Sequence, residues 1–390
     1  MIGYYQKSIC KLLDQIKLAS RDPFSNTQIW YSTQLTIVKK IILLENKIRY
    51  NNAQIKRLQI LRKNPLERLN KDESIKVKKN INNLEKKTEN ITFVIDAYNS
   101  IGDAIAFTFI NKLDIKPLNF KQSAGFISDK DGLKTELATF KEIYKKGHIG
   151  ILNDITSVLK YCDITLIHPK GFISIEVKSS SVQNSRILRQ NENAKKIFNY
   201  LETDKIENLY GRPGITQRIE LKSSEKNYSE EINQLIRDSK ETNNAFKEIE
   251  KGLFYYVSRK FENSFMDENF KNLKKPIMIS LNQYKFSGQG YYPFSLSIYD
   301  SKDYFDFLNG EYVIMIIIDF YQFEKYFHKK GYAFSLLDDS EYGFEIKPLK
   351  DNANFEKIKL SNHYFFRVAT EFVSLRWILN DSINQNIELK

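Results

Sequence analysis

Residues 162–178 read CDITLIHPKGFISIEVK, and the reading of this stretch decides the fold. Ile164 and Leu166 alternate with Asp163, Thr165 and Ile167, the two-residue period of a strand. Ile173, Ile175 and Val177 alternate in the same way with Phe172, Ser174, Glu176 and Lys178. Between the runs, His168-Pro169-Lys170-Gly171 supplies a fixed φ and then a residue that tolerates positive φ, so the segment reads as a β-hairpin. The start of the first strand then lies beside the end of the second. That brings Asp163 next to Glu176 and Lys178, which share one strand face while the apolar trio takes the other. Charges in such a setting are costly to bury unless paired or bound to a metal. Two carboxylates and an ammonium at one end of a sheet are groups that metal-dependent phosphodiester hydrolysis uses. The alternative is a surface hairpin with a salt-bridged outer face.

The Glu-x-Lys tripeptide alone carries little, because it also occurs at Glu45, Glu85, Glu220, Glu345 and Glu388. Only Glu176 follows a strand, a turn and an acid on the partner strand. At Glu345 the nearest acid, Asp339, is too close in sequence for two strands and a turn.

Asp163, a gap of twelve residues and then Glu176-Val177-Lys178 together resemble the PD-(D/E)XK nuclease superfamily, with a spacing similar to its Holliday junction resolvase and type IV restriction branches. The resemblance spans residues 132–201 and implies a restriction-endonuclease-like αβββαβ core. It also implies a further Glu on the preceding helix, matched by Glu136 in GLKTELATFKEIYKKG, beside a Leu133, Leu137, Phe140, Tyr144 stripe. A Gln on the following helix is matched by Gln190 in SRILRQNENAKKIFNYL, on a stripe with Ile187, Ala194, Phe198 and Leu201 and with Ser185 as a possible cap. Cys162 stands where the family has its Pro. Asp163 and Glu176, with Glu136 assisting, are expected to hold Mg²⁺ or Mn²⁺, and Lys178 to orient or deprotonate the attacking water. Asp154, in GILNDITS, is a spare carboxylate that reads as a turn residue and ranks below Glu136. Arg186, Arg189, Arg212 and Arg218 are candidate phosphate contacts.

The rest of the chain frames this core. Its 390 residues carry a formal net charge of +12 and a pI of about 9.2, a balance suited to an anionic partner. Abundant Asn, Lys, Ile and Tyr also fit an AT-rich genome, which would explain part of that basicity. Two cysteines, Cys10 and Cys162, make no disulfide framework and suit a reducing cytoplasm. There is no signal-peptide pattern, no apolar run near a membrane span and no nucleotide-binding glycine loop.

From Thr33 to Arg62, Ile37, Ile41, Leu44, Ile48, Ile55 and Leu58 follow three- and four-residue steps with Asn51 in the gap. Val77, Ile81, Leu84, Ile91, Ile95 and Tyr98 repeat the pattern with Thr88 in the gap. The spacing predicts a long antiparallel helical hairpin broken at Asn64-Pro65, its second helix capped by Asp72 and running on through GDAIAFTFINKL. Fifteen Lys or Arg against five acids between Lys39 and Lys87 make this hairpin either a nucleic-acid arm or the solvated outside of a coiled coil. Beyond it, residues 226–251 read as a polar helix, with strands at Pro276–Leu281, Tyr312–Asp319 and Tyr342–Lys347 and many aromatics better suited to a core than to base stacking.

The chain is therefore expected to be an α/β (α+β) protein. Its regions are a basic helical domain over 1–115, a nuclease core over 116–225, and a C-terminal α/β region over 226–390 that can add strands to the core sheet. The expected function is a Mg²⁺-dependent endonuclease acting on DNA, with RNA not excluded, and with a bacterial defence role implied by the resemblance. A homodimer or partner protein would use the helical hairpin. The competing class is a non-enzymatic nucleic-acid-binding or coiled-coil assembly protein.

Overall fold

The two helical seams build the first part of the structure. Helix α1 spans Gln6–Ala19, α2 Thr27–Lys63 and α3 Lys71–Phe109. At 37 and 39 residues, α2 and α3 are each roughly 55–60 Å long. Ile37, Ile41, Leu44 and Ile48 of α2 are buried, as are Val77, Ile81, Ile91 and Tyr98 of α3. The two polar gaps in the seams meet: Asn51 Nδ2 donates to Thr88 Oγ1 at 3.3 Å. A polar pair inside an apolar seam penalises every other register.

The computed structural model describes residues 2–63, 69–118, 125–177, 185–208, 214–218, 220–221, 223–286, 290–339, 342–350 and 357–388. The cap of α3 is Asn70, not Asp72. Asn70 Oδ1 accepts from Glu73 N at 2.9 Å and Glu73 Oε2 accepts from Asn70 N at 3.0 Å, a reciprocal capping box. Asp72 instead lies in the first turn, where its charge complements the helix dipole. Helix α3 stops at Phe109 because Ile110 turns extended, so the expected run through Leu113 is divided between α3 and a short α4 (Lys112–Leu118).

Next come α5 (Leu133–Lys145), β1 (Ile149–Leu152), β2 (Ile164–His168), β3 (Gly171–Ile175), α6 (Ser185–Thr203) and β4 (Lys205–Glu207). This is the expected helix-strand-strand-strand-helix-strand order. Strands β1, β2 and β3 form an antiparallel sheet in that order. The hairpin forms with the expected turn, Ile164 pairing with Ile175 and His168 with Gly171 across Pro169-Lys170, but its strands stop at Ile164 and Ile175, so Asp163 and Glu176 lie just outside them. Strand β4 does not extend this sheet and pairs instead with β5 (Ile215–Gln217). Helix α6 meets β3 through Phe172 and Phe198, 6.4 Å between ring centroids. Its described buried side chains are Ile197 and Tyr200, so the buried stripe is rotated from the one expected through Ala194 and Leu201. Ile173 is also misread, being 60% exposed on the apolar face of β3.

Residues 1–216 with 288–290 form one compact unit and residues 217–287 with 291–390 another. The helical hairpin and the β1–β3 sheet thus share a unit. In the second unit, α7 (Ser229–Thr242) ends at Asn243, whose left-handed φ of 63° closes the helix, and β6 (Asn244–Glu250) follows. The polar helix expected over 226–251 is therefore a helix and a strand. The remaining elements are β7 (Leu253–Ser258), α8 (Asn263–Phe270), β8 (Pro276–Ser280), α9 (Phe294–Ser297), α10 (Ser301–Asn309), β9 (Val313–Asp319), α11 (Phe320–Lys329), β10 (Tyr332–Leu336), β11 (Tyr342–Pro348), β12 (Ile358–Ser361), α12 (Asn362–Thr370) and α13 (Leu375–Glu388).

These strands form two sheets of their own, β6-β7-β9-β8 and β10-β11-β12. Among the described residues none completes the β1–β3 sheet. The aromatics fill the core, with Phe320, Phe323, Phe327, Phe334 and Phe344 all buried. No helix among the described residues is long and apolar enough to cross a membrane.

One close approach governs how α3 meets the sheet region. A Cβ added at Gly102 would lie 2.0 Å from the carbonyl oxygen of Ile155. Gly102→Ala should therefore destabilise the protein by about 1–3 kcal/mol through overpacking, measured by urea unfolding. A gain near the ~1 kcal/mol that helix propensity alone favours would refute the contact.

Candidate active site

The scaffold around the hairpin is held by polar side chains from the long helices. Gln34 of α2, fully buried, donates to Gly150 O at 2.9 Å and accepts from Leu152 N at 2.8 Å. It thereby satisfies the free edge of β1 as a strand would. Glu45 of α2 accepts from Ile127 N and Ser128 N, each at 2.9 Å. Arg49, one turn on, pairs with Asp129 at 2.6 Å. Together they fasten the 3₁₀ turn Ile127–Asp129, and the next residue is Lys130.

Asp103 of α3, next to Gly102, accepts from Ser157 N at 2.7 Å and Ser157 Oγ at 2.6 Å. It holds the segment just after the 3₁₀ turn Asn153–Ile155 that carries Asp154. Burial pushes the Asp103 carboxyl up to about 7, against the Ser157 hydrogen bonds that favour its charged form. Asn153 donates to Tyr161 O at 2.6 Å and accepts from Thr165 Oγ1 at 2.8 Å. This braces the loop that enters β2 through Cys162 and Asp163.

Four charged groups meet where these segments converge. Lys130 Nζ lies 2.5 Å from Asp154 Oδ2, 3.4 Å from Asp163 Oδ1 and 3.6 Å from Glu136 Oε1. The second oxygen of Asp163 accepts from Val177 N at 2.8 Å, which ties the start of β2 to the chain leaving β3. Glu136 was expected at the border of the α5 stripe. It is buried within it, with Phe140, Ile143 and Tyr144.

Burial is the main reason the Glu136 carboxyl is pushed up to about 7. Lys130 opposes that shift, and the Asp163 and Asp154 charges add to it. Burial likewise raises Asp154 against the pull of Lys130. Burial disfavours the Lys130 charge, but the three carboxylates outweigh it and hold its pKa above the ordinary value.

Asp163 and Glu136 thus both reach Lys130. Asp154, ranked as a spare turn residue, is both a turn residue and the acid nearest the ammonium. Glu176 follows β3 and is exposed, one step beyond the Ile164–Ile175 pair and so opposite Asp163 in register. Lys178 and Arg212 lie outside the described residues. Arg186, Arg189 and Gln190 fall on the first turns of α6, where only the backbone is described, and Arg218 is half-buried after β5.

Nothing in the motif pattern points to Lys130. It sits in a loop, in SDKDG, and belongs to no periodic pattern. Its flanking acids, Asp129 and Asp131, are the only local hint. Among the described residues no three His, Cys, Asp or Glu side chains already stand at metal-holding spacing; the acids meet through the lysine instead. No family model, no curated protein and no solved structure matches the chain.

The raised pKa of Glu136 makes a signed prediction. Folding favours its neutral form, so its contribution to stability is complete below the ordinary value of 4.5 and is lost as pH rises through about 7. Urea unfolding at pH 5 and pH 8 should show wild type losing more stability over that interval than Glu136→Gln. Parallel losses in the two proteins would mean that Glu136 does not titrate there.

Proposed function

We propose that the chain is a metal-dependent nuclease with a restriction-endonuclease-like core, acting on DNA. The observation that carries this reading is the meeting of Glu136, Asp154 and Asp163 around one ammonium at the end of the β2–β3 hairpin. The residue types fit a divalent cation, carboxylates being hard oxygen donors, and the three acids would close in from their spacing around the lysine to hold it. A bound Mg²⁺ or Mn²⁺ supplies polarisation of the scissile phosphate and a water of lowered pKa.

The side chains divide the remaining work. Asp163, with one oxygen fixed by the Val177 amide, and Asp154 would hold the ion. Glu136, buried on α5 beside them, would assist in holding it. Lys130 offers positive charge near the phosphate. The resemblance adds Glu176 as a ligand and Lys178 as the group that orients the water, with Gln190 beside them.

Nucleic acid as the partner is supported by the helical hairpin. Arg57, Lys63, Lys78, Lys79, Lys86 and Lys87 are all exposed on α2 and α3, a surface suited to phosphates. The same surface favours a second reading, a nucleic-acid-binding protein without catalysis.

Cleavage of supercoiled plasmid and of an RNA of similar length, with Mg²⁺, Mn²⁺ or EDTA, separates these readings. Asp163→Asn and Asp154→Asn should each lower metal-dependent cleavage by about 100-fold or more. Glu142→Gln, on the exposed side of α5, should leave it unchanged. Equal cleavage by all the variants would place the chemistry elsewhere. Salt-sensitive DNA binding in EDTA, with no cleavage under any condition, would favour the binding protein.

A further inference from the structure

We propose that Lys130 is a tethered counter-ion: it occupies the place of the divalent cation among Glu136, Asp154 and Asp163, leaves when a cation enters, and so sets the metal affinity of the site. The inference rests on the metal-dependent reading above. Its first support is position. The ammonium is within 2.5–3.6 Å of all three carboxylates. Mg²⁺ needs oxygen ligands at about 2.0–2.1 Å in near-octahedral geometry. An ion held by these acids and an ammonium in the same space exclude one another.

The second support is the tether. The backbone before Lys130 is fixed by Glu45 on the Ile127 and Ser128 amides, by Arg49 on Asp129, and by Lys130 N donating to Ile127 O at 3.2 Å. The flexible four-carbon stem is free of those constraints, and its side chain is 26% exposed, which leaves a route to solvent. Displacement therefore needs a rotamer change and no refolding.

Occupancy then decides affinity. A site open for only a fraction of the time binds its ligand more weakly by that fraction. Lys130 in place about nine-tenths of the time would weaken metal binding roughly tenfold. A divalent ion also brings twice the charge to three acids, which gives it the advantage once its concentration is sufficient.

The test is Mn²⁺ binding by titration calorimetry, without nucleic acid, to wild type, Lys130→Met and Lys134→Met. Lys134→Met removes the same charge from an exposed position on α5 and should leave the Kd within about twofold. Lys130→Met should bind Mn²⁺ about tenfold more tightly; equal or weaker binding than wild type overturns the proposal. Loss of the ammonium among these acids can prevent Lys130→Met from folding, so a second measurement uses wild type alone. Acetylation of Lys130 by an N-hydroxysuccinimide ester, read by peptide mass spectrometry with Lys145 as reference, should be several-fold faster with saturating Mn²⁺. An unchanged rate overturns the proposal. Equal Mn²⁺ affinity in all three proteins leaves the metal reading standing and removes the counter-ion. No Mn²⁺ binding by any of them removes both.

Discussion

The Asp163 carboxylate faces two ways, and the organisation of the site depends on it. One oxygen takes the Val177 amide and closes the open end of the β2–β3 hairpin. The other faces Lys130 and, through it, Asp154 and Glu136. A hydrogen bond to a carboxylate is worth more than a neutral one, roughly 1.5–3 kcal/mol. It is also directional, so it fixes which oxygen is left for the cluster. Asp163 thereby couples the local hairpin to residues from α5, from the turn after β1 and from the loop before α5.

That coupling would be lost if those segments were free to move, and the long helices prevent this. Gln34, Glu45 and Asp103 are polar residues buried on α2 and α3, and each binds backbone groups that no helix or strand satisfies. Leaving such groups unpaired would cost about 1–3 kcal/mol each. Gly102 contributes by lacking a side chain, which lets α3 approach the Ile155 carbonyl. The helical hairpin is thus the wall against which the site is assembled, as well as a basic surface.

The legible parts of this design are those with a period. The β2–β3 hairpin and the two seams repeat over many residues, and even the polar gaps at Asn51 and Thr88 sat at matching positions. The illegible parts are single contacts. Asp154 does not stand out in the sequence because a turn acid is common, and nothing local says that α3 presses its turn toward β2. Lys130 is brought to the acids by Glu45, 85 positions earlier, a link no window reveals. Asn70 took the cap from Asp72 because Glu73 completes its capping box. Strand β6 is not legible because the polar segment continues unbroken through the left-handed turn at Asn243.

The position before Asp163 departs from the proline of the nuclease pattern. Cys162 has a φ of +62°, in the left-handed region where residues other than Gly and Asn are uncommon. Proline is locked near −65°, so the family's Pro cannot be placed here without rebuilding the loop that Asn153 braces. The chain therefore enters β2 by a route a proline would forbid, yet still delivers an acid to the point where β3 ends. The route into β2 is thus set by the Asn153 side chain on the Tyr161 and Cys162 carbonyls, and not by a proline.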